Sequence, residues 1–284
     1  MKRWLALLSV AGGSVLSVAG TATAVAGSSA LPTVGGPMIR AVQSGVTGGG
    51  IPTISENWSG YAVTSTKKFN YVYASFVQPA ITCPGVKKQL TSNWVGLDGF
   101  NDETVEQDGT FAYCGGPNWT TPQYSAWYEM FPAGSVNVFK VKPGDVIDAT
   151  VSYSGGKFSL TIADVTSHKT ATDTAACSAC ARASAEWIIE RPAGCNASFT
   201  KCFLFALADF GTTTMNDNLA GLDHGTWRGI ESFTNNYPIF MVAPLKSGGF
   251  ITLDTVGPVS SSNSFTATWD RSGHPTPIQF GPNR

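Results

Sequence analysis

Charge is scarce in this sequence of 284 residues: 13% are Asp, Glu, Lys or Arg, against about 25% in an average domain. The formal net charge is −1, and losing Lys2 and Arg3 with a leader would make it more acidic by those two charges. No basic stripe is present, which argues against a nucleic-acid partner. A chain with few ionisable groups gains little self-repulsion when its carboxylates protonate, so the composition suits acid surroundings. Histidine is scarcer still. His168, His224 and His274 lie far apart and show no H-E-x-x-H spacing. The G-x-S-x-G elbow is absent. Asp254-Thr255-Val256-Gly257 misses the Asp-Thr-Gly pattern of pepsin-type sites. Asp209-Phe210-Gly211 copies a kinase tripeptide without its Gly-rich loop or H-R-D motif.

Long apolar runs are also missing. The one candidate, Trp4 to Val18, contains Gly12 and Gly13 and falls short of the ~20 residues a membrane span needs. Met1-Lys2-Arg3 precedes it, and the small-residue sites Ala22-Thr23-Ala24 and Ala24-Val25-Ala26 follow. Residues 1–26 therefore read as a secretory signal peptide. The expected location is extracellular, with no membrane attachment once the signal is removed. Residues 27–52, rich in Gly, Ser and Pro, read as a flexible pro-segment or linker and are left out of the fold.

No stretch of ten or more residues repeats with a helical period. From Asn57 onward, short alternating segments are separated by Gly, Pro, Asn and Ser. The clearest is Val146 to Val165. Ile147, Ala149, Val151 and Tyr153 alternate with polar residues, Ser154-Gly155-Gly156-Lys157 turns the chain, and Phe158, Leu160 and Ile162 resume the alternation. Period two on both sides of a glycine pair predicts a hairpin. Strands in this number favour a two-sheet sandwich, one domain over residues 53–284. Six cysteines in an exported chain predict disulfides. Cys83 with Cys114, and local pairing among Cys177, Cys180, Cys195 and Cys202, is the expected arrangement. Zinc ligation by those last four is the alternative reading.

Alternation also sorts side chains by face. Trp94 and Asp98 oppose Val95 and Leu97. Glu186 and Glu190 oppose Trp187 and Ile189. Trp127 and Glu129 oppose Ala126 and Tyr128, and Gln107 shares a face with Val105. Several strands thus carry tryptophans and carboxylates together where a solvated face would carry Lys, Thr and Ser. That mixture predicts a ligand groove. Taken singly, each residue has a commonplace reading: Gln107 on the surface, Glu186, Glu129 and Glu190 as solvated strand charges, the tryptophans in the core, Asp98 in a turn.

The ordered set is more specific. Asn57-Trp58-Ser59-Gly60-Tyr61, Trp94-Val95-Gly96-Leu97-Asp98-Gly99, Gln107, Tyr124-Ser125-Ala126-Trp127-Tyr128-Glu129 and Ser184-Ala185-Glu186-Trp187-Ile188-Ile189-Glu190 together resemble the glutamic peptidase (eqolisin, G1) family. The resemblance runs from Asn57 to the C-terminus. It implies an all-β fold, a concanavalin A-like β-sandwich of two large antiparallel sheets with a concave substrate groove. It also implies a secreted acid endopeptidase with Gln107 and Glu186 as catalytic residues. Trp58, Trp94, Asp98, Trp127 and Glu129 then line or support the substrate groove. The partners are polypeptide substrates, the enzyme works as a monomer, and the chemistry calls for no metal and no cofactor. The segment from Cys114 to Pro117 departs from the pattern, and residues 166–183 read as a disulfide-bearing insertion. Two acids across a tryptophan-lined groove would equally suit a glycoside hydrolase. A carbohydrate-binding module stacking sugars on the same tryptophans is the non-enzymatic alternative.

Overall fold

The computed structural model describes residues 35–41, 53–196 and 201–278. The expected signal peptide and residues 27–34 and 42–52 of the expected pro-segment lie outside the described residues. The first eleven strands are β1 (Thr53–Ser55), β2 (Trp58–Thr64), β3 (Phe69–Val77), β4 (Gln89–Leu97), β5 (Val105–Gly115), β6 (Thr121–Phe131), β7 (Val136–Lys140), β8 (Val146–Ser154), β9 (Lys157–Asp164), β10 (Lys169–Ala175) and β11 (Ser184–Glu190). No α-helix is present among the described residues, and so none that is long and apolar enough to cross a membrane.

Two large, mainly antiparallel sheets form a sandwich. The first runs β1, Asn236–Pro244, β2, β11, β4, β5, β6, β7. The second runs β10, β9, β8, β3, Thr212–Leu222, Phe265–Trp269, Asp254–Val256. The expected hairpin is β8–β9, with Ser154 opposite Lys157. Gly155 and Gly156 both take positive φ, 58° and 82°, the conformation that a two-residue turn of matching twist requires.

The interior follows from the same alternation. Val63, Val95, Leu97, Trp187 and Ile189 of the first sheet meet Val72, Phe76, Ile147, Val151, Leu160 and Ile162 of the second in one buried cluster. Each such side chain contributes roughly 1.5–3 kcal/mol by leaving water. Trp187 crosses the sandwich, its Nε1–H donating to the Tyr73 carbonyl at 2.8 Å. That bond pins β11, a central strand of the first sheet, to β3 of the second. The disulfides join Cys83 to Cys114, Cys177 to Cys180 and Cys195 to Cys202; the first pair was expected, and the other two resolve the local pairing left open among the last four cysteines.

One part of the sequence reading changes. Residues 35–41, assigned by composition to a flexible stretch outside the fold, are packed onto the first sheet. Arg40 bridges to Ser55, and Ala41 N–H donates to Ile54 O at 3.0 Å. Ile39 N–H donates to Asn57 Oδ1 at 2.7 Å, and Met38 N–H to Gly99 O at 3.0 Å. The physical reason lies in two side chains that the Gly and Pro content obscures. Met38 is buried among Trp58, Trp94 and Phe100, and Ile39 against Ala193 and Leu204.

Candidate active site

The outward face of the first sheet carries the tryptophans and acids. Strand register places Ala62, Glu186, Gly96, Gln107 and Glu129 on one rung across β2, β11, β4, β5 and β6. Residues directly opposite each other share a face, so Glu186, Gln107 and Glu129 all project outward. Gly96 stands between Glu186 and Gln107 and contributes no side chain. Glu186 and Gln107 are thus two strand spacings apart, about 10 Å between backbones. A Cβ at residue 96 would lie 2.8 Å from Trp94 Cζ3 and 3.3 Å from Gln107 Cβ. A glycine there leaves the gap open between the Glu186 and Gln107 side chains.

Trp94 and Trp127 lie on the next rung, either side of Gly109 and level with Ile188. Trp58 sits opposite Glu190 and meets Trp94 edge-on, with ring centroids 4.9 Å apart. Trp58, Trp94, Trp127, Val105, Phe111 and Ile188 form an apolar floor separate from the interior cluster. The three tryptophans are fully buried, as are Gln107 and Glu186.

Glu129 holds Gln107. The Gln107 Nε2–H donates to Glu129 Oε2 at 3.0 Å, while Gln107 Oε1 has no partner among the described residues. An amide nitrogen carries two hydrogens, so Glu129 leaves one N–H unused. Burial raises the Glu129 carboxyl well above the usual range, against the opposing pull of hydrogen bonds from Gly35 and Gln107. Burial also raises Glu186, and the nearby carboxyls of Asp98, Asp102 and Glu106 add to the effect, opposed by the Ser184 hydroxyl nearby. A carboxyl so placed holds its proton readily and exchanges it with a bound group when solvated.

Asp98 serves the site from outside the rung. It follows β4 in a left-handed conformation (φ 70°), and its carboxylate accepts from Arg182 N at 2.7 Å and Ala183 N at 2.6 Å. It therefore ties down the loop that leads into β11 and Glu186. Glu190 is a residue that pattern reading passed over as a solvated charge. It is buried and accepts from Trp94 Nε1 at 2.8 Å and Asn57 Nδ2 at 3.4 Å. The available signal was its position on the Glu186 face, four residues on.

Residues 35–41 touch Gln107, Glu129 and Asn57 directly. Gly35 N–H donates to the same Glu129 Oε2 at 3.0 Å. A Cβ on residue 35 would stand 1.9 Å from Gln107 Nε2, so its backbone lies over the amide. Asn57 Nδ2 donates to Pro37 O at 3.2 Å.

The sequence model of the Peptidase A4 family matches residues 56–239. No curated protein sequence matches the chain. Among solved structures, scytalido-glutamic peptidase with a peptide-based transition-state analogue is similar at 21% identity and a TM-score of 0.62, covering 76% of this chain and 98% of that one. SCP-B, a member of the eqolisin family of peptidases in complex with the tripeptide Ala-Ile-His, is similar at 20% identity and a TM-score of 0.60, with the same coverage.

Proposed function

The chain belongs to the Peptidase A4, or eqolisin, family of glutamic peptidases, and from that premise we propose that it is a secreted, monomeric acid endopeptidase working through Glu186 and Gln107. Family membership displaces the two carbohydrate readings. The observation that carries the proposal is the shared rung: one ionisable group and one neutral donor face outward across a glycine gap.

The mechanism follows from what those groups can do. Glu186, ionised, accepts a proton from a water that attacks the scissile carbonyl. It later returns that proton to the departing amine. The free N–H of Gln107 donates to the oxygen on which negative charge develops, and Glu129 fixes the amide so that the donor is already in place. No acyl-enzyme forms. Rate falls at low pH as Glu186 loses its ionised form, and at high pH as protonated carboxyls give up the protons that amine departure needs. The apolar floor of Trp58, Trp94 and Trp127 binds the peptide's side chains. Three disulfides fit an oxidising compartment, which with the expected signal peptide supports export.

In the described state the groove is covered. Residues 35–41 act as the inner part of a pro-segment, and the enzyme is latent until they leave. Uncovering admits water to Glu186 and weakens the burial that keeps it protonated.

Digestion of denatured casein from pH 2 to 8, after acid incubation of the full chain, tests the proposal. Cleavage confined to acid, lost in Glu186→Gln and reduced about 10²–10³-fold in Gln107→Ala, is the expected result. Undiminished cleavage by Glu186→Gln refutes the assignment.

A further inference from the structure

Four acids are buried in β5 and β11, Glu106, Asp108, Glu186 and Glu190, and of these Glu106 takes no direct part in the proposed peptidase chemistry. Glu106 directly precedes Gln107, so its side chain leaves the opposite face of the sheet. It is fully buried, and among the described residues no hydrogen bond of good geometry ties either of its oxygens. One of those oxygens and the sulfurs of Cys177 and Cys180 all lie within 4.8 Å of one another. Among the described residues no other disulfide has an acid or histidine in such a group.

This disulfide also differs from the other two in its setting. Cys83–Cys114 spans 31 positions and has one cysteine fully buried in β5. Cys195–Cys202 clamps two paired strands. Cys177–Cys180 spans three positions in the loop between β10 and β11. So short a loop gains least from cross-linking. Both cysteines are half-buried against the core, and Ser178 and Ala179 between them are exposed. The Cys180 backbone N–H points at Cys177 Sγ, 3.1 Å away. Burial, with the carboxyls of Asp98 and Asp102 beside it, pushes Glu106 up to about 10, so it carries a proton at neutral pH. The same three residues have the ligand types of a metal site, but the two sulfurs are bonded to each other.

We propose that Cys177, Cys180 and Glu106 form a thiol–disulfide exchange centre, distinct from the proteolytic groove, that accepts two electrons from a dithiol. A thiolate of the dithiol attacks Cys180 Sγ. The Cys177–Cys180 bond breaks, a mixed disulfide forms at Cys180, and Cys177 leaves as a thiolate that takes the proton of Glu106. The second thiol of the donor gives its proton to Glu106 and attacks the mixed disulfide. The donor departs as a cyclic disulfide, and Cys180 takes up the proton that the first donor thiol released to solvent. The protein pair ends as two thiols and Glu106 regains its acid form.

The test uses the full chain in graded mixtures of reduced and oxidised dithiothreitol at pH 7. Free thiols are trapped with N-ethylmaleimide and located by peptide mass mapping. Cys177 and Cys180 should be half-reduced at a thiol ratio roughly tenfold or more below that of either other pair, with the near-ultraviolet circular dichroism of the folded protein unchanged. Glu106→Gln, which removes the proton but keeps the shape, should slow reduction about tenfold or more. If that variant does not fold, Glu106→Asp, which keeps a shortened acid, should react at an intermediate rate. Simultaneous opening of all three pairs on unfolding overturns the proposal. So does exchange at the unaltered rate in the Glu106 variant that folds.

Discussion

The Gln107 amide has two N–H groups, and Glu129 occupies one of them. In the proposed mechanism that bond sets where the other points. Glu129→Ala should therefore lower kcat about tenfold with little change in KM, because a loosened donor is lost mainly in the transition state. Glu129→Gln keeps an acceptor oxygen and should retain most of the activity. Steady-state kinetics of the acid-treated protein decide between these outcomes, and equal loss in both variants would remove Glu129 from the positioning role. Pattern reading placed Glu129 on the face of Trp127, where the strand register has it. It missed the task of Glu190, which lies on the same face as Glu186, since a carboxylate in a strand is ordinarily solvated. Only the partners, Trp94 and Asn57, show it to be a buried anchor.

At the level of elements, the strands were legible and the cover was not. Ile147, Ala149 and Val151 announce β8 by strict alternation, and the Gly155-Gly156 pair announces its turn. The segment 35–41 has no period at all, and its anchors are two adjacent residues, Met38 and Ile39, that point to different clusters. Composition cannot distinguish such a ligand-like stretch from a linker. Its proposed role has a sharp consequence at Gly35, where any side chain collides with the Gln107 amide. Gly35→Leu should fail to seat, so the full chain would cut casein on first exposure to acid. The unaltered chain should show a lag before activity. A lag of equal length in both would mean that docking at Gln107 does not impose latency.

Across the whole molecule, scarcity of charge is paired with burial of acids. Glu106, Asp108, Glu129, Glu186, Glu190 and Asp254 are all shielded from solvent. Burial is the main cause of their raised values: Asp254 stands at about 7 against Ser59's opposing bond, and Asp102, partly buried beside Asp98, at about 6. In the unfolded chain such groups ionise near 4. Between those values the native state binds more protons than the unfolded state, so stability falls as pH rises. The contribution is complete below about pH 4 and is lost from there up through pH 6 to 7 for Asp102 and Asp254, and at higher pH for Glu106. Thermal melting of the full chain should thus give a lower Tm at pH 7 than at pH 4. A Tm that rises over that interval would show that other groups dominate. Low charge was plain in the sequence. The burial of the acids was not, because alternation assigns a side chain to a face without saying whether that face is wet.

The rung of Glu186, Gly96 and Gln107 runs through the central strands of the ten-stranded sheet, each hydrogen-bonded on both sides. Residues 35–41 are held instead by scattered bonds at one edge and over the floor. Amide protons at the rung should accordingly be among the last in the molecule to exchange with deuterated water, and those of 35–41 among the first. The timing of activity would then belong to the cover, while the reacting groups keep their places from the moment the chain folds.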